Sequence, residues 1–429
     1  MRQLVDTMSN RTRELIYVIC LTGFITITFA FGRYIFSMIT PDIVSSLNID
    51  YEFIGLINAC HQGAYLLFSL LGGILCGYLS VRFLISSSVI LCGLSVFVLT
   101  FVNNPWLLLV IVTLQGIFAA TSWIPMVEFV AKNIQEDNRG KSLGIISSGT
   151  SFGLILNGFL IPYILTNETW QTVWFVFGII SLILGALGVY WIYKLKSIPD
   201  LQIESANQKN EYNTEILDLG NDKSGNYLKH YVLLVALLIL SGLYLIPFQS
   251  YIVPLMQEDL GLNEQISGIA WSIFGFIGIF SGFVAGVLAD KYTAKRAMII
   301  TYSISILSIA TVVFVHNAAA ALFACAIFGL TYNGIFGLHP TYVTRVLPPE
   351  KTAKLFGLMN LSLGVGSMIG NYAGGYIKKM TGNFALAYQL MLMMSILTVL
   401  ICIFIKADRN EEEVVVNGKN RVESSQDTI

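Results

Sequence analysis

"GVLADKYTAKR", residues 286–296, is a short charged stretch set between two long apolar runs. Asp290 is followed by Lys291, and Lys295 and Arg296 close it. About twenty predominantly apolar residues cross a bilayer core as a helix. The stretch therefore reads as a polar turn at one membrane face, with a span on either side. The whole chain agrees: of its 429 residues 55% are hydrophobic and 12% charged, and mean hydropathy is +0.70. A soluble domain carries about twice that charged fraction. The composition implies an all-α polytopic membrane protein. A net charge of −1 gives no basic face for nucleic acid.

Outward from that turn, apolar windows fall at about 14–40, 52–80, 82–102, 105–131, 141–165 and 172–193, then at 230–254, 264–289, 294–316, 318–345, 354–377 and 382–405. Twelve transmembrane helices in two sets of six are expected. The division gives an N-terminus (1–13), a first half (14–193), a polar linker (194–229), a second half (230–405) and a polar tail (406–429). Arg82, Lys132, Arg139, Lys141, Lys291, Lys295, Arg296 and Arg345 fall on one side, with the basic residues of the linker and both ends. The other side holds Lys378 and Lys379, among Asp42, Asp50, Glu52, Glu168, Glu258, Asp259 and Glu264. The positive-inside rule places both termini and the linker in the cytoplasm, in a multi-pass protein of the cytoplasmic membrane.

The halves repeat at one offset of 213 residues. Pro41 meets Pro254, Gly55 meets Gly268, Gly73 meets Gly286, Gly116 meets Gly329, Lys141 meets Lys354 and Gly153 meets Gly366. Six spans is an even number, so both copies have the same orientation, a parallel repeat about an axis along the membrane normal.

With the repeat in place, the stretch at 286–296 resembles the signature loop of the major facilitator superfamily: glycine, three residues, aspartate, then a basic cluster. The first-half copy, "GILCGYLSVRF" from Gly73, keeps Gly73 and Arg82 but has Gly77 where the family usually places aspartate. Spans five and eleven, with "SSGTSFGLILNG" and "LGVGSMIGNYAGGYI", are similar to bacterial permeases for small organic molecules and anions. The resemblance implies a carrier that rocks two six-helix halves about a central cavity lined by spans one, two, four, five, seven, eight, ten and eleven. It also gives Asp290, Lys291, Arg296, Arg82 and Glu128 a reading as a conformational latch. Glu128 is also an ordinary ion-pair partner for Lys132, one turn away, and near Arg82 if spans three and four are neighbours, with a proton relay as a further reading. Glycines recur at four-residue spacing (Gly73 and Gly77; Gly149 and Gly153; Gly278, Gly282 and Gly286; Gly366, Gly370 and Gly374). That spacing lets helix backbones approach closely, for sliding or for ordinary packing.

Arg33, in "FAFGRYIFSMITP" (29–41), is the residue that bears on cargo. An arginine at mid-span costs about 2.5–3.5 kcal/mol on insertion scales. It lies eight residues before Pro41, roughly 12 Å from that helix end. No carboxylate is expected at its depth. Thr26, Phe29, Arg33 and Ser37 share a helical face, as do Asn58, His61, Tyr65 and Ser69 on span two. A substrate carboxylate would pair with the guanidinium bidentately. The alternative is an arginine bonded to backbone carbonyls or Asp42. Gln115, Asn157, Gln249, Trp271 and Asn333 are further candidates for the same cavity, with Tyr244, Tyr251 and Tyr332; His339 lies deeper.

No phosphate loop is formed: "RGKS" at 139–142 has Gln135 where the partner glycine belongs. The six cysteines lie in apolar runs without metal-ligand spacing. No enzyme motif and no cofactor site is present. The expected function is a monomeric secondary carrier, a symport-type permease for a small organic anion such as a carboxylate, coupled to a proton through His61 or to a counter-substrate. A drug or metabolite efflux antiporter is the alternative within the same architecture, and a membrane sensor that moves nothing the alternative outside it.

Overall fold

The computed structural model describes residues 9–195, 225–346 and 349–405, with side chains described except at 225–230 and 349–356. The polar tail, and the linker but for its first two and last five residues, lie outside the described residues. The helices are α1 (Asn10–Met38), α2 (Tyr51–Tyr78), α3 (Val81–Phe101), α4 (Pro105–Asn133), α5 (Glu136–Leu165), α6 (Trp170–Lys194), α7 (Tyr231–Asp259), α8 (Glu264–Lys291), α9 (Ala294–Phe314), α10 (Ala318–Val346), α11 (Pro349–Thr381) and α12 (Ala385–Phe404). Eleven are long and apolar enough to cross a bilayer. The remaining one, α11, has 33 residues and the length to cross. Its apolar character is diluted by Gly357, Gly364, Gly366, Gly370, Gly374, Gly375, Asn360 and Asn371, which suits a helix packed among other helices more than one facing lipid.

Helix starts repeat at the offset read from sequence. Tyr51–Tyr78 recurs as Glu264–Lys291, and Pro105–Asn133 as Ala318–Val346. The caps explain these boundaries. Asp50 and Asn263, at equivalent positions, each accept an N–H three residues on at the start of α2 and α8. Ser80 and Thr293 do the same for α3 and α9. The Leu79–Ser80 break divides the long apolar stretch 52–102 into two spans.

Among the described residues the two halves meet at one end and near the middle. The meeting end carries the acidic loops before α2, after α5, and before α8 and α12; the other carries the signature stretch. At the acidic end backbones touch. A Cβ on Gly158 would come within 2.3 Å of the Gly268 carbonyl, and one on Gly375 within 2.0 Å of the Tyr51 carbonyl. Nearer the middle, a Cβ on Gly364 would strike Leu66 at 2.3 Å. Toward the signature end, Gly73, Gly77, Gly282 and Gly286 have nothing within 4 Å. The helices thus splay there, leaving a cleft closed at the acidic end.

Two of the glycine stripes take the ordinary-packing reading. Gly366, Gly370 and Gly374 pack on Ile239, Leu243, Pro247 and Tyr251 of α7, within one half. Gly149 and Gly153 pack on Thr22, Thr26 and Ala30 of α1. The seam is lined by Gly55, Gly158, Gly268, Gly275 and Gly375, and Gly278 of the third stripe borders Ser151 of α5 there.

Candidate functional site

The first helix is not a regular α-helix. Residues Thr26–Tyr34 form a π-helical segment between α-helical turns, a widening often found at functional sites. Thr26 and Thr28 bond back to the carbonyls of Thr22 and Phe24, at 3.1 and 2.9 Å, which loosens a helix locally. Neighbours also take up the segment's carbonyls: Asn157 Nδ2 donates to Ala30 O at 3.1 Å, and Cys92 lies 3.8 Å from Ile27 O. The distortion places Arg33 in its last turn. It also turns Thr26 toward α5, where its hydroxyl donates to Gly149 O at 2.8 Å. Thr26 therefore packs against α5 instead of lining the site with Arg33, as an uninterrupted helix would have had it.

Arg33 is half-buried. Among the described residues no carboxylate and no carbonyl bonds its guanidinium, which lies 5.4 Å from the ring of its neighbour Tyr34. It stands within electrostatic reach of His61, Tyr65 and Tyr332. The His61 Nδ1–H donates to the Val112 carbonyl at 2.9 Å, which fixes the tautomer and leaves Nε2 an acceptor without a partner. Asn58 stands one turn nearer the closed end, beside Tyr251, with its Nδ2 unpartnered. Gln115, fully buried, has no partner for either amide atom, and its Cβ borders Gly32. Gln249 on α7 is likewise buried with both amide atoms free, as is the Trp271 Nε1–H on α8. Tyr34 bridges the halves: its ring meets Trp271 edge-on at 6.2 Å, and its hydroxyl lies 3.5 Å from that of Tyr332.

A buried polar atom left without a partner costs about 1–3 kcal/mol. Here His61 Nε2 stands within electrostatic reach of the one cation, while Gln115 borders Gly32 and Trp271 meets Tyr34, the chain neighbours of Arg33, which marks a place built to receive something polar. Two expected site residues do other work. Asn157 ties α5 to the π segment. Asn333 Nδ2 donates to Gly278 O at 3.0 Å and lies 3.4 Å from Ser151, stitching α10 to α8 and α5. His339 is also engaged, accepting from the Tyr302 hydroxyl at 2.7 Å, which itself accepts from Ser241 at 3.0 Å. Tyr34, Trp123 and Phe336 join the site without being singled out by the sequence. Trp123 and Phe336 are separated by the repeat offset, a signal that was available.

The Major Facilitator Superfamily pattern matches residues 22–371 and 252–425. The chain belongs to that superfamily. It is a multi-pass membrane transporter, not an enzyme. The chain is 24% identical over 346 residues to the glucose-6-phosphate exchanger SLC37A2 of Mus musculus, covering 71% of this chain and 68% of that protein. It is 22% identical over 391 residues to the proton-coupled antiporter flippase LtaA of Staphylococcus aureus (strain MSSA476), covering 88% and 91%. The crystal structure of a D-xylose-proton symporter shares the fold, with TM-score 0.74 at 15% identity, covering 93% of this chain and 99% of that one.

In this superfamily member Asp290, Lys291 and Glu128, expected to form a latch, make their contacts among the described residues within one half. Asp290 bonds neither Lys291 nor Arg296; its carboxylate meets Arg345 at 2.7 Å, and Arg345 also donates to Ala289 O at 2.7 Å. The pair clamps α10 to the end of α8, inside the second half. Lys291 lies over the ring of Tyr292, and Arg82 over that of Phe129. Glu128 bonds Lys132, one turn away, at 2.5 Å. The charges that do join the halves sit at the acidic end. Lys379 reaches Asp50 at 2.8 Å and Glu52 at 2.5 Å, Tyr372 donates to Glu52 at 2.8 Å, and Tyr51 donates to Glu258. Lys378 holds Glu258 and Asp259 at 3.0 and 2.7 Å.

Proposed function

We propose that this chain is an alternating-access carrier for a small organic anion, with Arg33 as the anion anchor. The observation that carries the reading is Arg33 itself: a half-buried guanidinium at mid-span, bonded to no carboxylate among the described residues, with the unpartnered His61 Nε2 within its electrostatic reach. A carboxylate or phosphate on the substrate supplies the missing charge in a medium where the pair is weakly screened. The mouse relative's name, a phosphate-ester exchanger, is in keeping with anionic cargo.

The positive-inside bias puts the signature end in the cytoplasm. On that orientation the acidic end faces outward, the state described is open to the inside, and both termini are cytoplasmic. In the opposite state the acidic-end contacts part and the splayed ends close. The acidic side chains described along the helices lie toward their ends, so coupling falls either to His61 or to counter-transport of a second anion. Two relatives named as an exchanger and an antiporter favour exchange over the symport reading.

The test is uptake and counterflow in proteoliposomes with labelled monocarboxylates, dicarboxylates, hexose phosphates, neutral sugars and cationic drugs, for wild type and Arg33→Ala. Anion transport lost in the variant supports the reading. A carried cation or neutral sugar, with Arg33→Ala unimpaired, overturns it.

A further inference from the structure

The repeat supplies a comparison internal to the chain. In a parallel repeat, residues 213 apart occupy equivalent positions on opposite walls of the cleft. His61 corresponds to Phe274, Gln115 to Phe328, Asn58 to Trp271 and Arg33 to Ile246. Every polar member of the first-half wall faces an apolar or aromatic equivalent. These aromatics are continuous with one another: Trp271 stacks on Phe274 at 5.6 Å, and Phe274 on Phe328 at 6.1 Å.

The asymmetry ends one to two turns toward the open end. There Trp123 and Phe336 are an equivalent pair, aromatic in both halves and half-buried in both. Trp123 lies two turns from Gln115 on α4. Its ring is 6.5 Å from that of Phe29, which is four residues before Arg33. Phe336 lies one turn from Tyr332, ring to ring at 5.2 Å. The repeat thus sets one aromatic on each half, on the open-end side of Arg33.

We infer that the cargo of this site is an amphipathic anion with a flat apolar body, such as an aryl carboxylate, held head-first on Arg33 and gripped between Trp123 and Phe336. The inference rests on the anion reading of Arg33 and narrows it. A compact, polyhydroxylated anion would occupy Arg33 and the polar atoms beside it but leave the aromatic faces of Trp123 and Phe336 uncovered, whereas a planar apolar body stacks on them.

Competition binding to the purified full chain in nanodiscs tests this, with benzoate, 3-phenylpropionate, lactate, glucose 6-phosphate and benzyl alcohol as probes. Wild type, Arg33→Ala, Trp123→Leu and Phe336→Leu are compared, each variant first shown to be monodisperse with wild-type helicity. The aryl carboxylates should bind more tightly than lactate or glucose 6-phosphate. Each leucine variant should weaken aryl carboxylate binding roughly three- to tenfold while leaving lactate unchanged. Glucose 6-phosphate binding best, with that binding lost in Arg33→Ala, overturns this inference and leaves the anion reading intact. Benzyl alcohol binding as well as benzoate, with Arg33→Ala unimpaired, overturns the anion reading and the inference with it. No binding of either aryl carboxylate at millimolar concentration, or equal losses for lactate and benzoate in the leucine variants, also overturns the inference.

Discussion

Lys379 Nζ lies 2.5 Å from Glu52 and 2.8 Å from Asp50, so one lysine of α11 holds two carboxylates at the start of α2 across the seam between the halves. Tyr372, nearly two turns earlier on α11, bonds the same Glu52. These contacts exist in the state closed at the acidic end and must break when that end opens. Lys379→Ala should shift the conformational equilibrium severalfold toward opening there, and added salt should do the same more weakly in wild type. Spin labels at Glu168 and Gln265, on either side of the seam in a cysteine-free background, report the separation. An unchanged distance distribution would remove Lys379 from the gate.

The same lysine gives the gate a pH dependence of definite sign. Its hydrogen bond to Asp50, ahead of the backbone N–H of Phe53, holds the Asp50 carboxyl below its ordinary value. A carboxyl depressed in the closed state stabilises that state above the ordinary aspartate range, about pH 4, and stops doing so as pH falls through the lowered value. The label distance should hold constant from neutral to mildly acidic pH and lengthen only below about pH 4. Opening near pH 6 would assign the switch to another group.

Close backbone approach makes a second, uncharged prediction. A Cβ on Gly158 meets the Gly268 carbonyl at 2.3 Å and Ser272 Oγ at 2.2 Å, whereas a Cβ on Gly282 meets nothing within 4 Å. Gly158→Ala should destabilise the state described here and widen the acidic end, slowing turnover by an order of magnitude or so. Gly282→Ala should leave this state unaffected. Equal label distances in the two variants would mean that the seam does not set the conformational balance.

Periodicity and composition determine the scaffold. The caps at Asp50, Asn263, Ser80 and Thr293 add the local chemistry that fixes where the helices begin; spans and the repeat were legible in the sequence. So was Arg33, because a lone guanidinium in an apolar run is conspicuous without any fold. The π segment was hidden, since it depends on Asn157 and Cys92 meeting carbonyls of a helix far off in sequence. The packing bonds of Asn157 and Asn333 were hidden for a related reason: an amide on an inner helix face serves packing or cargo equally well until its partner is known. The gate was visible only as charges on one side; which lysine meets which carboxylate is a tertiary fact.

Asp290 and Arg345 offer a contrast to the gate. Their 2.7 Å pair and the Arg345 bond to Ala289 O link α8 to α10 inside the second half. Asp290→Asn should therefore leave the acidic-end separation at wild-type values while loosening the α8–α10 corner, seen as faster hydrogen exchange around Ala289. Exposed pairs of this kind contribute little, so the melting temperature should fall by no more than a few degrees. A large shift in the Glu168–Gln265 distance would instead show that this pair reports on the opposite state.

His61 gives the prediction that bears most directly on energy coupling. Its Nδ1–H is committed to the Val112 carbonyl at 2.9 Å, so Nε2 is the atom offered to the site, and that atom has no partner. His61→Asn keeps an N–H near Val112 and deletes the acceptor; His61→Gln restores a polar atom near the Nε2 position without a titrating group. Substrate affinity should fall about tenfold in the asparagine variant and recover in large part with glutamine, as a hydrogen bond lost and regained. Transport under a pH gradient separates the roles. With a proton carried on Nε2, both variants lose acceleration by the gradient while still exchanging substrate across the membrane at equal pH. Retention of a wild-type gradient response by His61→Gln would confine His61 to substrate binding and leave anion exchange as the source of driving force.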